Sequence, residues 1–215
     1  MIIYSMLPRI LSIEGNIGAG KSTLIRAIKE KYKDRNDIYI VEEPVDIWEK
    51  VKTNGQTIIE KFYQDKNKYS FPFQVLAYTT RLNLIKDALK IEGVKTIIME
   101  RSLEADRNIF AKMLYDDGFI EDSLYQIYQV MSDLGLKDYS ADGIVWLDTE
   151  PDICIERIKQ RNREGEESIS IDYLNNCDIY HKEWLSADLG FVFRISNDYI
   201  DWDLLEKFIN GHNYD

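Results

Sequence analysis

The sequence predicts an α/β protein in which a five-stranded parallel sheet is flanked by helices. Five short segments rich in isoleucine and valine alternate with helical patterns along all 215 residues. The segments do not alternate strictly between apolar and polar residues, which is typical of strands that are covered on both faces. Strands separated by helices indicate a parallel sheet, because each helix returns the chain across the sheet.

The elements follow one another without interruption. The predicted strands lie at 9–14, 37–42, 94–99, 143–148 and 191–195. The predicted helices lie at 21–33, 45–51, 56–68, 73–91, 103–116, 120–136, 151–162, 170–186 and 201–210. The sequence has no repeat, no low-complexity tract and no linker rich in proline or glycine. We therefore expect a single domain over residues 1–215.

Composition and charge argue against some classes of function. A hydrophobic fraction of 45% and a charged fraction of 30% are ordinary for a soluble globular protein. The net charge of −11 argues against binding to a nucleic-acid backbone, although a local group of cations can still bind a small phosphorylated ligand. No segment approaches the ~18 apolar residues of a membrane span, and the N-terminus lacks the features of a secretory signal. We expect a cytoplasmic protein that binds neither nucleic acid nor membrane.

The residues from Gly15 to Ser22 fit the pattern G-x-x-x-x-G-K-[ST] in full. They follow a predicted strand and open a predicted helix, which is the context of a P-loop. Glycines let backbone N–H groups turn toward phosphate oxygens, and the helix adds its positive N-terminal dipole. We expect Lys21 to reach the β- and γ-phosphates and the Ser22 hydroxyl to help hold Mg²⁺. The motif by itself indicates only a nucleoside triphosphate, and the residues predicted here to bind it are Gly15, Asn16, Gly18, Ala19, Gly20, Lys21, Ser22 and Thr23.

Two polar motifs follow the ends of predicted strands, where an open α/β sheet places its ligands. Glu43-Pro44-Val45 follows strand 37–42, and Glu100-Arg101-Ser102 follows strand 94–99. A kinase needs one carboxylate for the acceptor hydroxyl, another near the metal, and a cation for the transferring phosphoryl group. Each motif alone is explained equally well by a solvated strand end or a surface ion pair. Together with the P-loop they favour a kinase.

At these residues the sequence resembles the deoxynucleoside kinase family, which includes deoxycytidine and deoxyguanosine kinases. The shared motifs occur in family order, from residue 9 to about residue 186. They are Gly15–Thr23, Glu43-Pro44-Val45, Phe71-Pro72-Phe73-Gln74, Glu100-Arg101-Ser102, Asp106-Arg107, Arg157 with Arg161-Asn162-Arg163, and Asp172-Tyr173-Leu174. The resemblance implies a P-loop kinase fold with an arginine-rich lid. It implies transfer of the γ-phosphate of ATP to the 5′-hydroxyl of a deoxynucleoside in nucleotide salvage.

The resemblance also assigns roles at the reacting end of the site. Glu43 is expected to be the base for the 5′-hydroxyl, Arg101 to contact the 5′ end and the phosphates, and Glu100 to lie near Mg²⁺. With Lys21, Glu43 and Arg101 form the predicted catalytic set. The resemblance further implies a homodimer whose interface uses the helices at 73–91 and 120–136. The apolar stripe on the second helix is equally compatible with burial in the core; it consists of Ile120, Leu124, Ile127, Met131 and Leu134.

The predicted nucleoside pocket comes mainly from the helical segments around residues 62–81. By resemblance, Gln74 meets the Watson–Crick edge of the base, Tyr63 and Glu166 bind the sugar 3′-hydroxyl, and Phe110 stacks on the base. Phe73, Ala77 and Arg81 are spaced so that they share one helical face. For Phe73, packing in the core is an equally good interpretation. The predicted substrate-binding residues are Glu43, Trp48, Tyr63, Phe73, Gln74, Ala77, Arg81, Arg101, Asp106, Phe110 and Glu166.

Residues 157–168 form the predicted lid. Arg157, Arg161 and Arg163 are expected to clamp the ATP phosphates with bidentate hydrogen bonds that lysine cannot match, and Gly165 can act as a hinge. The alternative is a charged, solvated helix end. The residues that contact the adenine are placed near 196–198.

The pair of Arg81 and Asp106 bears on base preference. In the family these positions carry Arg and Asp in the deoxycytidine and purine kinases, and smaller or apolar residues in members that accept thymidine. A carboxylate only accepts hydrogen bonds, so it suits the amino group of cytosine or adenine and opposes the O4 of thymine. We expect deoxycytidine or a purine deoxynucleoside to be preferred over thymidine. The alternatives are a thymidine-preferring kinase and a plain ion pair between two helices.

Three rival functions are compatible with a P-loop. A thymidylate-type nucleoside monophosphate kinase usually has Glu-Pro-Gly after its second strand, whereas this chain has Glu43-Pro44-Val45. A regulatory GTPase needs an Asn-Lys-x-Asp segment, but Asn67-Lys68 is followed by Tyr69-Ser70. An ATP-binding module without catalysis leaves the motifs on the acceptor side unexplained.

Overall fold

The structure is a computed structural model that describes residues 7–163, 165–186, 191–196 and 199–211. The strands are β1 (Arg9–Gly15), β2 (Ile38–Val41), β3 (Lys52–Thr53), β4 (Gln56–Thr57), β5 (Thr96–Glu100), β6 (Gly143–Asp148) and β7 (Val192–Ser196). The α-helices are α1 (Lys21–Lys31), α2 (Val45–Lys50), α3 (Ile58–Gln64), α4 (Lys66–Ala88), α5 (Leu103–Ala105), α6 (Lys112–Asp116), α7 (Asp122–Tyr139), α8 (Pro151–Arg161), α9 (Ile171–Leu185) and α10 (Trp202–Ile209). A π-helical segment, Asp106–Ala111, joins α5 to α6.

Five parallel strands form the main sheet in the order β2-β5-β1-β6-β7. Strand β1 lies at its centre, and its residues Arg9–Ile13 pair with Thr96–Glu100 of β5. On the other side, Leu11–Gly15 of β1 pair with Gly143–Leu147 of β6. The P-loop therefore leaves the middle of the sheet, beside the end of β5. This arrangement brings the two motifs Gly15–Ser22 and Glu100-Arg101-Ser102 to the same edge.

Both faces of the sheet are covered by helices. Leu11 and Ile13 of β1 face a core built with α1, α8 and α9. Ile10 belongs to a second core that contains Tyr78 of α4 and Tyr128 of α7. Side chains alternate between the two faces of a strand, so Ser12 and Glu14 share the face of Ile10. Glu14 is thus a carboxylate on a buried face.

The predicted α/β class with a five-stranded parallel sheet is confirmed, and every predicted strand agrees with the structure to within two residues. The predicted helix at 73–91 instead begins at Lys66, so that Pro72 lies inside α4. Pro usually stands in the first helical turn. Here the start is fixed further upstream, because the Asp65 side chain accepts a hydrogen bond from the Lys68 N–H at 3.2 Å.

Two local features were not predicted. Strands β3 and β4 form a short hairpin in which Asn54 and Gly55 have φ of 55° and 82°, the conformation that an Asn-Gly turn favours. The predicted helix at 103–116 is interrupted by the π-helical segment, a feature that often lies at functional sites. The segment begins at Asp106 and includes Phe110.

No helix within the described residues is long and apolar enough to span a bilayer. The cytoplasmic location and the single-domain organisation remain predictions.

Candidate active site

A cleft of about 1110 Å³ opens at the edge of the sheet where β1 and β5 end. Two residues of the predicted site, Gly15 and Asn16, are buried beneath it rather than lining it. All other predicted site residues line the cleft. They are Gly18, Ala19, Gly20, Lys21, Ser22, Thr23, Glu43, Trp48, Tyr63, Phe73, Gln74, Ala77, Arg81, Glu100, Arg101, Asp106, Phe110, Arg157, Arg161, Arg163 and Glu166.

The P-loop is held in its curved conformation by close backbone packing. A Cβ at Gly15 would lie 2.6 Å from the Leu147 carbonyl oxygen, and one at Gly18 would lie 2.5 Å from the Cys154 carbonyl oxygen. Both glycines have positive φ, so a larger residue would be strained as well as crowded. The side chain of Asn16 anchors the loop from below by donating to the Leu174 carbonyl at 2.8 Å.

Lys21 is buried and turned back onto the loop. Its Nζ donates to the carbonyl oxygens of Gly15 and Asn16 at 3.0 and 2.8 Å. Burial and the neighbouring Arg101 lower the pKa of Lys21 to about 8, although the nearby carboxylates oppose that shift. A phosphate bound at the loop would give this ammonium group an anionic partner.

Ser22 and Glu100 provide a pair of oxygen ligands that suits a magnesium ion. The Ser22 hydroxyl donates to Glu100 Oε1 at 2.7 Å, which places a hydroxyl and a carboxylate together beside the P-loop. No group of three or more His, Cys, Asp or Glu residues in the described part of the chain could hold a metal ion. Magnesium commonly uses one or two protein ligands together with substrate phosphates and water, so the pair fits this ion.

Glu43 lies between two arginines. Its Oε1 is 3.4 Å from Arg81 Nη2 and 3.6 Å from Arg101 Nε. Burial would raise the pKa of Glu43, but the charges of Arg81, Arg101 and Lys21 outweigh burial and hold it below its usual value. The carboxylate is therefore ionised at neutral pH. Its side chain retains 22% exposure, so it can be reached from the cleft.

Arg101 has an unusual backbone. Its φ is +68°, a left-handed conformation that costs a residue with a side chain ~1–2 kcal/mol. The conformation turns the chain at the end of β5 and leaves the guanidinium buried beside the P-loop, where Nη2 donates to the Gly15 carbonyl at 3.3 Å. The guanidinium also lies 4.4 Å from the centre of the Phe110 ring. Such strain persists only where the surroundings enforce it.

Glu14 and Ser102 are part of this arrangement and were not predicted. The Glu14 side chain is fully buried, and its Oε1 accepts hydrogen bonds from the Ser102 N–H at 2.7 Å and from the Ser12 hydroxyl. The sequence did contain one signal for Glu14. It is a carboxylate directly before the first P-loop glycine, on a strand face that is otherwise buried.

A buried ion pair lines the cleft close to Glu43. Arg81 Nε and Nη2 donate to the two carboxylate oxygens of Asp106 at 2.9 and 3.4 Å. Burial raises the pKa of Asp106, and the charge of Arg81 opposes that shift. Arg81 Nη1 also donates to the Glu100 carbonyl at 2.8 Å, which links the pair to the end of β5. Ala77, one helical turn before Arg81, leaves the cleft open at this point.

Gln74 and the aromatic residues form the walls beside this pair. Gln74 is 3% exposed, and its Oε1 has no hydrogen-bond partner among the residues that the structure describes. A buried amide oxygen without a partner is unusual, so the site has an unfilled acceptor. Trp48 packs edge-on against Phe73 at 5.5 Å and donates from Nε1 to the Thr80 hydroxyl at 3.0 Å. Trp48 and Phe73 therefore pack against each other as well as lining the cleft.

Two of the three lid arginines are paired with Glu166, a residue that was assigned to the sugar of the nucleoside. Arg161 Nη2 donates to Glu166 Oε1 and Oε2 at 2.7 and 2.6 Å, and Arg163 Nη1 lies 3.5 Å from Oε1. Arg157 differs, because its Nη1 donates to the Ala19 carbonyl of the P-loop at 3.2 Å. Burial and the nearby Glu166 raise the pKa of Tyr63, so its hydroxyl remains protonated and able to donate.

Comparisons with known proteins agree with this geometry. The deoxynucleoside kinase family matches residues 11–210. The chain belongs to the deoxynucleoside kinase family. A probable deoxycytidine kinase of Fowlpox virus is 36% identical over 214 residues, covering 95% of this chain and 86% of that protein. Human deoxycytidine kinase is 31% identical over 81% of this chain and 74% of its own length. A mitochondrial deoxyguanosine kinase of Xenopus laevis is 29% identical over 82% and 72%.

Membership of this family makes the chain a phosphotransferase with an alcohol acceptor, and it confirms the predicted class of enzyme and the use of ATP. The rival GTPase and the non-catalytic ATP-binding module are thereby set aside. The predicted adenine contact near 196–198 falls partly on Asn197 and Asp198, which lie outside the described residues.

Proposed function

We propose that this deoxynucleoside kinase phosphorylates deoxycytidine or a purine deoxynucleoside in preference to thymidine. The observation that carries the proposal is the buried pair of Asp106 and Arg81 beside the unpartnered amide oxygen of Gln74. Both Asp106 and Gln74 Oε1 present acceptors, and an amino-bearing base supplies the matching donors. The O4 of thymine would face an acceptor instead. The relatives named deoxycytidine kinase and deoxyguanosine kinase support the same class of substrate.

At the reacting end, Glu43 accepts the proton of the 5′-hydroxyl. The 5′-oxygen forms a bond to the γ-phosphorus, the bond between that phosphorus and the β–γ bridging oxygen breaks, and ADP leaves. The lowered pKa of Glu43 keeps the carboxylate ionised before the proton arrives. Arg101 offsets charge on the transferring group, and Lys21 binds the β- and γ-phosphates.

Magnesium completes the donor side. Ser22 and Glu100 would hold the ion, which would neutralise charge on the phosphates when it is bound. The Ser22–Glu100 hydrogen bond supports this assignment, because it gathers one hydroxyl and one carboxylate at the P-loop. Arg157, Arg161 and Arg163 act as the lid that clamps the phosphates, and Glu166 and Tyr63 bind the 3′-hydroxyl of the sugar.

A homodimer is part of the proposal. On α7, the large apolar side chains of Ile127, Val130 and Leu134 are 57%, 67% and 73% exposed. They recur at spacings of three and four residues, so they share one face of the helix. Ile120, the first residue of the stripe noted in the sequence, is instead buried. An exposed apolar face of this kind marks an interaction surface, and a second copy of the chain is the partner that the family resemblance implies.

One experiment tests the substrate assignment. The values of kcat/KM are measured for deoxycytidine, deoxyadenosine, deoxyguanosine and thymidine with ATP and Mg²⁺, alongside the corresponding monophosphates. We expect the highest value for one of the three amino-bearing nucleosides. Thymidine in first place would refute the base preference. A clear preference for monophosphates would favour the thymidylate-type rival and refute the acceptor assignment.

A further inference from the structure

We infer that Glu14 is a positioning residue that fixes the catalytic geometry of Arg101. The inference rests on the proposed role of Arg101 at the transferring phosphoryl group. Glu14 does not line the cleft, and nothing in the proposed chemistry requires it to meet a substrate. It acts through the backbone turn and the guanidinium of its neighbour on β5.

The first support is that β1 fixes the chain on both sides of the strained residue. The Arg101 N–H donates to the Ile13 carbonyl at 3.1 Å, which continues the pairing of β5 with β1. The next N–H, that of Ser102, donates to Glu14 Oε1 at 2.7 Å. Ile13 and Glu14, which are consecutive in β1, thus accept hydrogen bonds from the N–H groups of Arg101 and Ser102. These two N–H groups lie on either side of the left-handed Arg101 backbone.

The second support is the charge of Glu14. Its Oε2 is buried without a hydrogen-bond partner and lies 3.9 Å from Arg101 Nη1, which is itself buried without one. A carboxylate at this distance attracts the guanidinium toward the P-loop, where Arg101 Nη2 reaches the Gly15 carbonyl. Both groups are removed from water, so salt screens their attraction less than it would at the surface.

The third support is the position of the segment that follows Arg101. The Ser102 side chain accepts a hydrogen bond from the Ala105 N–H at 3.1 Å and thereby caps α5. Asp106 follows directly at the start of the π-helical segment. The hydrogen bond from the Ser102 N–H to Glu14 therefore holds Arg101 in place. It also fixes the start of the segment that carries Asp106.

The test compares two neutral variants of the same shape. Glu14→Gln removes the charge that faces Arg101, and we expect kcat to fall about 10- to 100-fold, as when a catalytic group is misplaced. The KM for ATP should change less than threefold, because the Glu14 side chain hydrogen-bonds to Ser12 and Ser102 and not to Lys21 or the loop that binds the phosphates. Glu104→Gln is the control. Glu104 is also a buried carboxylate that accepts a backbone hydrogen bond, from Ala141 N–H at 2.7 Å, and its other oxygen has no partner. Its variant should keep kcat within about twofold.

A double-mutant cycle decides whether Glu14 acts through Arg101. In an Arg101→Met background, Glu14→Gln should cause no further fall in kcat. An equal fall in both backgrounds, a wild-type kcat in Glu14→Gln, or an equally large effect of Glu104→Gln would overturn the inference.

If Glu14→Gln fails to fold, Glu14→Asp replaces it in the same cycle. Glu14→Asp keeps the charge but shortens the reach, so we expect a smaller fall in kcat that again disappears without Arg101. A full effect of Glu14→Asp in the Arg101→Met background would contradict the inference. Absence of deoxynucleoside phosphorylation by the wild-type protein would instead refute the proposed function.

Discussion

Arg161 holds Glu166 by donating to both of its carboxylate oxygens, at 2.6 and 2.7 Å. The two residues are assigned to different substrates, Arg161 to the ATP phosphates and Glu166 to the sugar. In this structure each is therefore the partner of the other. A phosphate at Arg161 would compete with Glu166 for the guanidinium N–H donors, whereas Glu166 can also accept from a 3′-hydroxyl through its remaining lone pairs.

The first prediction concerns the geometry of the lid. Arg161→Lys keeps the charge but loses the bidentate hydrogen bonds, so we expect kcat/KM for ATP to fall more than tenfold. The same change at Arg163 should act in the same direction. Arg194→Lys is the matched control, because Arg194 forms a surface ion pair with Asp148 and does not line the cleft. Unchanged kinetics in both lid variants would mean that the segment is only a solvated helix end.

The second prediction concerns the base. Glu43→Gln should lower kcat ~10²–10⁴-fold with little change in ATP affinity, because the amide cannot accept the 5′-hydroxyl proton. Glu42→Gln is the control. Glu42 is adjacent in sequence, but its side chain is 55% exposed and pairs with Lys29 at 2.8 Å. A folded Glu43→Gln protein with normal kcat would assign the role elsewhere, with Glu42 as the first residue to examine.

The sequence predicts the donor side of this site better than its supporting residues. The P-loop pattern is contiguous, so Gly15–Ser22 could be recognised without knowledge of the fold. Glu14 was missed, because a polar residue at a strand end is ordinarily solvated, whereas here it is fully buried; its one signal was its place directly before the first P-loop glycine. The pairing of Arg161 with Glu166 is also invisible in the sequence, since it joins two residues that were assigned to different ligands.

The fold, like the site, was predicted only in part. The strands were found from their apolar runs, whereas the helix predicted at 73–91 in fact begins at Lys66 and includes Pro72. The β3–β4 hairpin was missed although its Asn54-Gly55 turn carries a recognisable signal. The π-helical segment has no comparable signal, because it depends on how α5 and α6 pack.

The third prediction concerns pH. The free enzyme holds Lys21 with a pKa of about 8, so the ammonium group is present below that pH and lost above it. We expect kcat/KM for ATP, which reports the free enzyme, to fall as pH rises through about 8. Lys21→Arg keeps its charge at higher pH, so its kcat/KM, although lower overall, should lack this alkaline limb. Retention of the limb in the arginine variant would assign it to another group.

The fourth prediction concerns the dimer. Replacing Val130 and Leu134 together by Asp places two charges on the exposed face of α7 and should yield a monomer in sedimentation experiments. The control is Ile179→Asp on α9, where the replaced side chain is 50% exposed, and it should leave the dimer intact. A wild-type protein that sediments as a monomer at micromolar concentration would contradict the proposed homodimer.

The last prediction concerns base selection at Arg81 and Asp106. Each side chain of this pair has at most 3% exposure, and Arg81 donates to both oxygens of Asp106. The pair presents a fixed carboxylate in the cleft that Gln74 also lines, and we expect the Arg81 side chain to crowd a 5-methyl group on the base. A mismatched buried polar group costs ~1–3 kcal/mol, which corresponds to discrimination of roughly ten- to a hundredfold.

The double change Arg81→Met with Asp106→Ala removes the carboxylate and the charge together, so no buried charge is left unpaired. We expect kcat/KM for thymidine to rise relative to that for deoxycytidine by at least tenfold. Arg35→Met with Asp37→Ala is the matched control, because that pair has the same chemistry, with an Nε–Oδ1 distance of 2.7 Å, but lies away from the cleft. If both double variants retain the wild-type order of nucleosides, the Arg81–Asp106 pair is a structural link between α4 and the π-helical segment, and base selection must come from Gln74 and its neighbours.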